Sequence, residues 1–267
     1  MISRKNLSTY LIGCLENKSQ AQLPSNTIPD FSLSDAYRIA LEIKKIREKK
    51  MEKAAGIKVG FTNKTIWNKY SVNAPIFGFM YSSTVLSNKQ PFLPERFLEP
   101  KFEPEIFFKL NKRPHSEMSD IDLISCCKSF GIGVELVQSI YKGWTFKLPD
   151  TVAGFGLHGQ YKILRETVIP SDTNMRVELI DELKNFSLTL TKNNIALEQG
   201  NSENILGESP LMALRSYVEF CEKNSEWFIL NGVVTTGTIT DAYDIGKSDV
   251  FSCELDRLFE NKFVVKF

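Results

Sequence analysis

The sequence predicts an α+β fold: a mixed β-sheet that rolls up on itself, with flanking helices and a small helical N-terminal region. Three observations predict it. Eight short segments (IKVGF, PIFGFMY, EPEIFFKL, GIGVELVQSI, HGQYKIL, FSLTLTKNN, GVVTTGTIT and KFVVKF) are rich in β-branched and aromatic residues and bounded by turn formers. Only two clear helical patterns interrupt them, at 119–129 and 209–223. Strands and helices do not alternate regularly, which argues against a doubly wound parallel sheet and for a mixed or antiparallel one.

Taken in order, residues 1–55 read as a helical unit. Apolar residues recur at helical spacing from Leu7 to Leu15, and QAQLPSNTIP, with two prolines, reads as a loop. Ser34 or Asp35 can cap a second helix whose buried face is Ala36, Ile39, Ala40, Ile43 and Ile46. That helix is expected to run through the basic segment Lys44–Lys53, a solvated face, and to stop at Gly56. The strand-rich segment 56–267 is expected to form a second, rolled mixed-β domain.

Composition narrows the function. Thirty-three basic and thirty-two acidic residues give a net charge of +1, which offers no electrostatic basis for gripping a nucleic acid. Five cysteines, an odd number without a CxxC pair, read as reduced thiols of a cytoplasmic protein. Neither a signal peptide nor a membrane span is expected from the N-terminal twenty residues, and no other window is apolar for long enough to cross a bilayer.

The chemistry concentrates in Glu103-Pro104-Glu105. Residues two apart on a strand share a face, so both carboxylates point the same way and repel unless a proton or a cation lies between them. Exposed glutamates at a strand edge are the more ordinary source of such a pair, and Pro104 permits that too. Glu135 changes the balance, because it stands in the apolar run GIGVELVQSI, where a lone carboxylate needs a partner. Three carboxylates suit a hard divalent cation, Mg²⁺ or Mn²⁺, and neither histidine nor cysteine joins them to suggest zinc. Lys58 alternates with apolar neighbours; desolvated in the core or beside a metal it would have a depressed pKa and serve as a base. As a surface lysine it would do neither.

Together and in order, GIKVGFTNK, APIFGFMY, EPEIFF, GVELVQS, WTFKLPDTVA, ILGESPLMAL and VVTTGTITDA resemble the fumarylacetoacetate hydrolase superfamily. The branch they resemble is that of the 2-keto-4-pentenoate hydratases and 4-oxalocrotonate decarboxylases. The resemblance implies a rolled mixed-β core and a divalent cation on Glu103, Glu105 and Glu135. It also implies an active-site role for Lys58, and a pocket lined by Thr236 and Thr238. A homo-oligomer acting on a small 2-oxo or 2-hydroxydienoic acid is implied as well. The cation would stabilise the enolate, which in a hydratase takes part as water adds to the conjugated carbon and in a decarboxylase receives the electrons left by departing CO₂.

Two departures stand out. Ser82 takes the place where the family pattern leads one to expect an aspartate, and Asp150-Thr151-Val152-Ala153 continues into Gly154-Phe155-Gly156-Leu157-His158 instead of further Asp, Asn and small residues. Ser82 and His158 are therefore the candidates for the second proton-transfer group. Three readings follow: a metal-dependent hydratase of a short 2-hydroxy-2,4-dienoate, a decarboxylase or enol–keto tautomerase of a related 2-oxo acid, and a weakened paralogue that binds a small acid.

Overall fold

In the computed structural model, which describes residues 4–64, 67–70 and 72–267, all eight expected segments are strands. The strands are β1 (Ala54–Gly60), β2 (Ile76–Tyr81), β3 (Val85–Leu86), β4 (Lys101–Leu110), β5 (Cys127–Val137), β6 (His158–Val168), β7 (Ser187–Lys192), β8 (Ile195–Asn201), β9 (Val233–Thr238), β10 (Tyr243–Asp244), β11 (Val250–Leu255) and β12 (Phe263–Lys266). One sheet runs β2-β1-β9-β4-β5-β6-β3, with β10 also pairing β4; a second runs β12-β11-β7-β8. Pairings β1–β9 and β3–β6 are parallel and the rest antiparallel, so the sheet is mixed, as expected. The larger sheet curls into a half-barrel.

The pleat of β4 decides what lies on each side of that curl. Lys101, Glu103, Glu105 and Phe107 face inward; Phe102 faces the second sheet, where its ring stacks on Phe251 at 4.2 Å. Phe107, Tyr161, Met80 and Val233 form a small apolar cluster in the concave interior, separate from the main core. Everything polar on the inward face therefore sits above an apolar floor.

Helices flank the sheet: α1 (Leu7–Glu16), α2 (Pro24–Thr27), α3 (Leu33–Lys49), α4 (Trp67–Tyr70), α5 (Asp120–Ser125), α6 (Leu148–Ala153), α7 (Thr173–Asn185) and α8 (Pro210–Lys223). Outer-face residues of β2 pack against α8 and the turn that follows it, Phe77 stacking on Phe220 at 4.3 Å and Phe79 on Trp227 at 4.1 Å. No helix among the described residues is long and apolar enough to cross a membrane.

Several boundaries differ from expectation for local reasons. Ser32, not Ser34 or Asp35, caps α3, in a capping box with Asp35. That helix stops at Lys49 instead of Gly56: Met51 takes a left-handed φ of 67°, and Ala54–Gly60 are claimed by pairing with β2. The helix expected over 119–129 ends at Ser125, because Cys127 already pairs with Leu110 of β4. Helix α7 was not expected from the sequence; only Leu179 and Leu183 of its thirteen residues are buried, which leaves a faint apolar period.

Candidate active site

The register of β4 against β5 builds the site. Glu103 lies directly opposite Glu135 and Glu105 opposite Gly133, so all three carboxylates emerge on the concave face. One oxygen from each lies within 4.8 Å of the others. Glu105 and Glu135 are fully buried, while Glu103 is half-buried at the cavity wall. Among the described residues this is the sole cluster with ligand atoms spaced to hold a metal ion.

Electrostatics marks the cluster as short of positive charge. Burial above all, and then the neighbouring carboxylates, push Glu105 well above the ordinary carboxylate range. Burial likewise pushes Glu103 up to about 7, with Lys58 opposing and Glu135 reinforcing the rise. Glu105 Oε1 is buried with no hydrogen-bond partner, and Glu135 Oε2 faces the Lys58 ammonium at 3.2 Å without a well-aligned hydrogen bond. Buried acceptors in that condition are costly, and a divalent cation satisfies them together. An all-oxygen donor set with two oxygens lacking hydrogen bonds therefore fits a hard divalent cation.

Lys58 stands on β1 opposite Gly78 of β2, and its side chain reaches the cavity beside the carboxylates while almost wholly shielded from solvent. The structure corrects its expected pKa. Burial is the largest single influence and lowers it, but Glu135, Glu103 and Glu105 together outweigh burial and hold Lys58 above its ordinary value. Without a cation, Lys58 is itself the counter-charge of the trio. Glu135, pushed up by burial but pulled down more by Lys58 and by a hydrogen bond from His158, ends below the ordinary range.

The two threonines part company. Thr238 lines the cavity, whereas the Thr236 hydroxyl is buried and donates to the Ile106 carbonyl at 2.9 Å. Simple alternation would place both on one face. The register slips between Glu105 and Phe107, however, and Gly237 adopts a φ of 84° at the slip. A Cβ there would lie 1.8 Å from Thr62 Oγ1, so only glycine fits. The same bulge turns the Gly237 N–H toward Glu105 Oε2, to which it donates at 3.1 Å.

Neither Ser82 nor His158 lines this cavity. Ser82 is exposed in the turn after β2; the residue of β2 that does reach the cavity is the apolar Ile76. His158 lies behind Glu135, its Nδ1 2.7 Å from Glu135 Oε1 and its Nε2 2.8 Å from Thr84 Oγ1, and it borders a second cavity on the far side. Burial holds its pKa below the ordinary histidine value, against the pull of Glu135.

The cavity holds about 350 Å³. Besides the residues above it is bordered by Thr62, Asn63, Trp144, Phe146 and Asp241, none of which the sequence singled out, and by Lys101. Lys101 was within reach of the same argument that found the glutamates, since it precedes Glu103 by two residues on β4. The loop residues carry no periodic signal. A carboxylate cage, one buried ammonium, hydroxyl groups and an aromatic rim thus line one cavity of small-molecule size.

No family model matches the chain. A 4-oxalocrotonate decarboxylase of Pseudomonas sp. is 24% identical over 226 residues, which is 84% of this chain and 82% of that protein. A 2-keto-4-pentenoate hydratase of Burkholderia vietnamiensis is 24% identical over 234 residues, 87% of this chain and 86% of the relative. A 2-hydroxypent-2,4-dienoate hydratase of Pseudomonas putida is 28% identical over 148 residues, 55% of this chain and 67% of the relative. Among solved structures, 4-oxalocrotonate decarboxylase from Pseudomonas putida, complexed with magnesium and adipate, superposes with a TM-score of 0.87 at 20% identity over 100% of this chain and 99% of that one. A fumarylacetoacetate hydrolase family protein from Yersinia pestis gives 0.56 at 16% identity, over 80% of this chain and 93% of that one. By sequence this chain is a relative of the 2-keto-4-pentenoate hydratases and 4-oxalocrotonate decarboxylases, and it carries the fold of the fumarylacetoacetate hydrolase family.

Proposed function

We propose that the protein is a divalent-metal-dependent lyase that adds water to a short 2-hydroxy-2,4-dienoate, such as 2-hydroxypenta-2,4-dienoate. The observation that carries the reading is the convergence of Glu103, Glu105 and Glu135 beside Lys58 in one cavity. The three glutamates would hold Mg²⁺ or Mn²⁺. When bound, the cation supplies Lewis acidity toward the oxygens of the 2-oxo acid and a positive charge that opposes protonation of Lys58.

The chain's own residues supply the rest. Lys58 holds or moves the proton that interconverts enol and ketone, from a position fixed by β1 and by the ion pair with Glu135. Gly237 keeps Glu105 oriented through its N–H. Thr238 and Asn63 offer polar contacts at the wall, and Phe61, Trp144, Phe146 and Leu157 exclude water from the substrate's carbon chain.

Decarboxylation of a 4-oxalocrotonate-type acid is the second reading. The wall at β2 is Ile76, and Ser82 lies outside the cavity, so that strand brings no second acid to deliver water. The two readings separate in one assay. With Mg²⁺, a hydratase consumes the dienoate, followed as loss of its ultraviolet absorbance, without gas release; a decarboxylase releases CO₂ from 4-oxalocrotonate. Turnover of neither acid contradicts both.

A further inference from the structure

The turn that precedes β6 is unusual. Phe155, Gly156 and Leu157 take φ values of 64°, 63° and 62°, three consecutive residues in the left-handed region, two of them not glycine. Bulky residues avoid that region, and strain of this kind persists where the surroundings enforce it and a site uses it. Here the enforcement is visible. A Cβ built on Gly156 would lie 3.0 Å from the Gly78 Cα, so the turn is wedged against β2 opposite Lys58. The consequence is equally visible: Leu157 borders the active-site cavity, while the next residue, His158, is thrown to the far side of Glu135.

His158 is pinned there at both ring nitrogens. Nε2 meets Thr84 Oγ1 at 2.8 Å, and Thr84 is itself fixed by accepting from the Tyr81 N–H at 3.0 Å. Nδ1 meets Glu135 Oε1 at 2.7 Å, and because an ionised carboxylate can only accept, the ring nitrogen donates. With Oε1 tied, Oε2 is left turned toward Lys58 at 3.2 Å, and Glu135 keeps a carboxylate oxygen within 4.8 Å of one from each of Glu103 and Glu105.

We infer that His158 is a positioning residue: the strained turn at Phe155–Leu157 delivers its ring behind Glu135, where it clamps one carboxylate oxygen and presents the other to the metal. This rests on the reading of Glu135 as a metal ligand. Partners that orient a metal ligand from behind govern metal affinity without touching the metal.

Titration of the protein with Mn²⁺, followed calorimetrically and by the electron paramagnetic resonance spectrum of the bound ion, tests the clamp in two variants. His158→Asn keeps an N–H at the place of Nδ1; His158→Leu fills a similar volume without a donor. The expected result is Mn²⁺ affinity within about threefold of wild type for His158→Asn, and weaker by about 10–100-fold for His158→Leu, with a broadened resonance. A purely structural histidine would lower the thermal stability of both variants and would not separate their affinities. Equal affinities in the two variants overturn the clamp. If either variant is insoluble, Thr84→Val substitutes for the pair by withdrawing the Nε2 partner: a drop of about threefold or more supports the clamp, and wild-type affinity overturns it. A wild-type protein that fails to bind Mn²⁺ removes the metal reading, and the clamp with it; wild-type binding with equal variants removes the clamp alone.

Discussion

Lys58 Nζ lies 3.2 Å from Glu135 Oε2, in a place where neither side chain meets solvent to any extent. One ammonium is set against three carboxylates, so with all three ionised the site carries an excess of negative charge whose natural complement is a cation of higher valence. A divalent cation held by the three glutamates would compete with Lys58 for the same oxygens, and this rivalry can be measured.

Lys58→Met is expected to keep or strengthen Mg²⁺ binding, because the competing ammonium is gone, while turnover falls by about 10²-fold or more through loss of the proton-transfer group. Calorimetry and steady-state kinetics on the same preparation check both halves. Weaker metal binding in this variant would contradict the competition.

Glu105→Gln removes a buried acid that burial and two neighbouring carboxylates already push well up. The metal-free variant is expected to melt at or above the wild-type temperature. It should also lose the stabilisation that Mg²⁺ gives wild type, about 2.7 kcal/mol at a hundredfold excess over Kd. Thermal scans with and without Mg²⁺ read both effects.

Gly237→Ala would place a methyl group 1.8 Å from Thr62 Oγ1 at a φ of 84°. A loss of about 2–4 kcal/mol in stability is expected, with a disproportionate loss of metal affinity because the Gly237 N–H no longer orients Glu105. Urea unfolding and metal titration check the two effects separately.

Away from the site, Asp120 pairs with Lys184 and Arg215, each at 2.8 Å, and ties α5 to α7 and α8. Burial pushes its pKa up, but the two cations outweigh burial and leave it lowered. Its folded pKa is therefore below the unfolded one, so its contribution is complete above the unfolded value of about 4 and is lost as pH falls through the folded value. Asp120→Asn is expected to flatten the fall of melting temperature below about pH 4 while leaving turnover at pH 7 unchanged.

What the sequence made legible follows from periodicity. Glu103 and Glu105 share a face because a strand has period two, and Glu135 stands out because a charge in an apolar run needs a partner. All eight expected strands are present for the same reason. Features set by non-local geometry were not legible. Thr236 leaves the cavity because the bulge at Gly237 breaks alternation. Lys58 has a raised pKa, not a lowered one, because the charges that decide it come from β4 and β5. His158 faces away because of a left-handed turn that no periodicity announces, and Ser82 falls beyond the end of its strand. Helix α7 escaped because a helix that buries two of thirteen residues leaves little apolar pattern to read.

The central claim is that Glu103, Glu105 and Glu135 hold a divalent cation that recruits a small 2-oxo acid. Its most direct test is calorimetric titration of the purified protein with Mg²⁺ and Mn²⁺, in the presence and absence of oxalate as an enolate mimic. The account predicts that either metal binds and that oxalate binds only when metal is present. Failure of both metals to bind, or oxalate binding of equal strength without them, would contradict it.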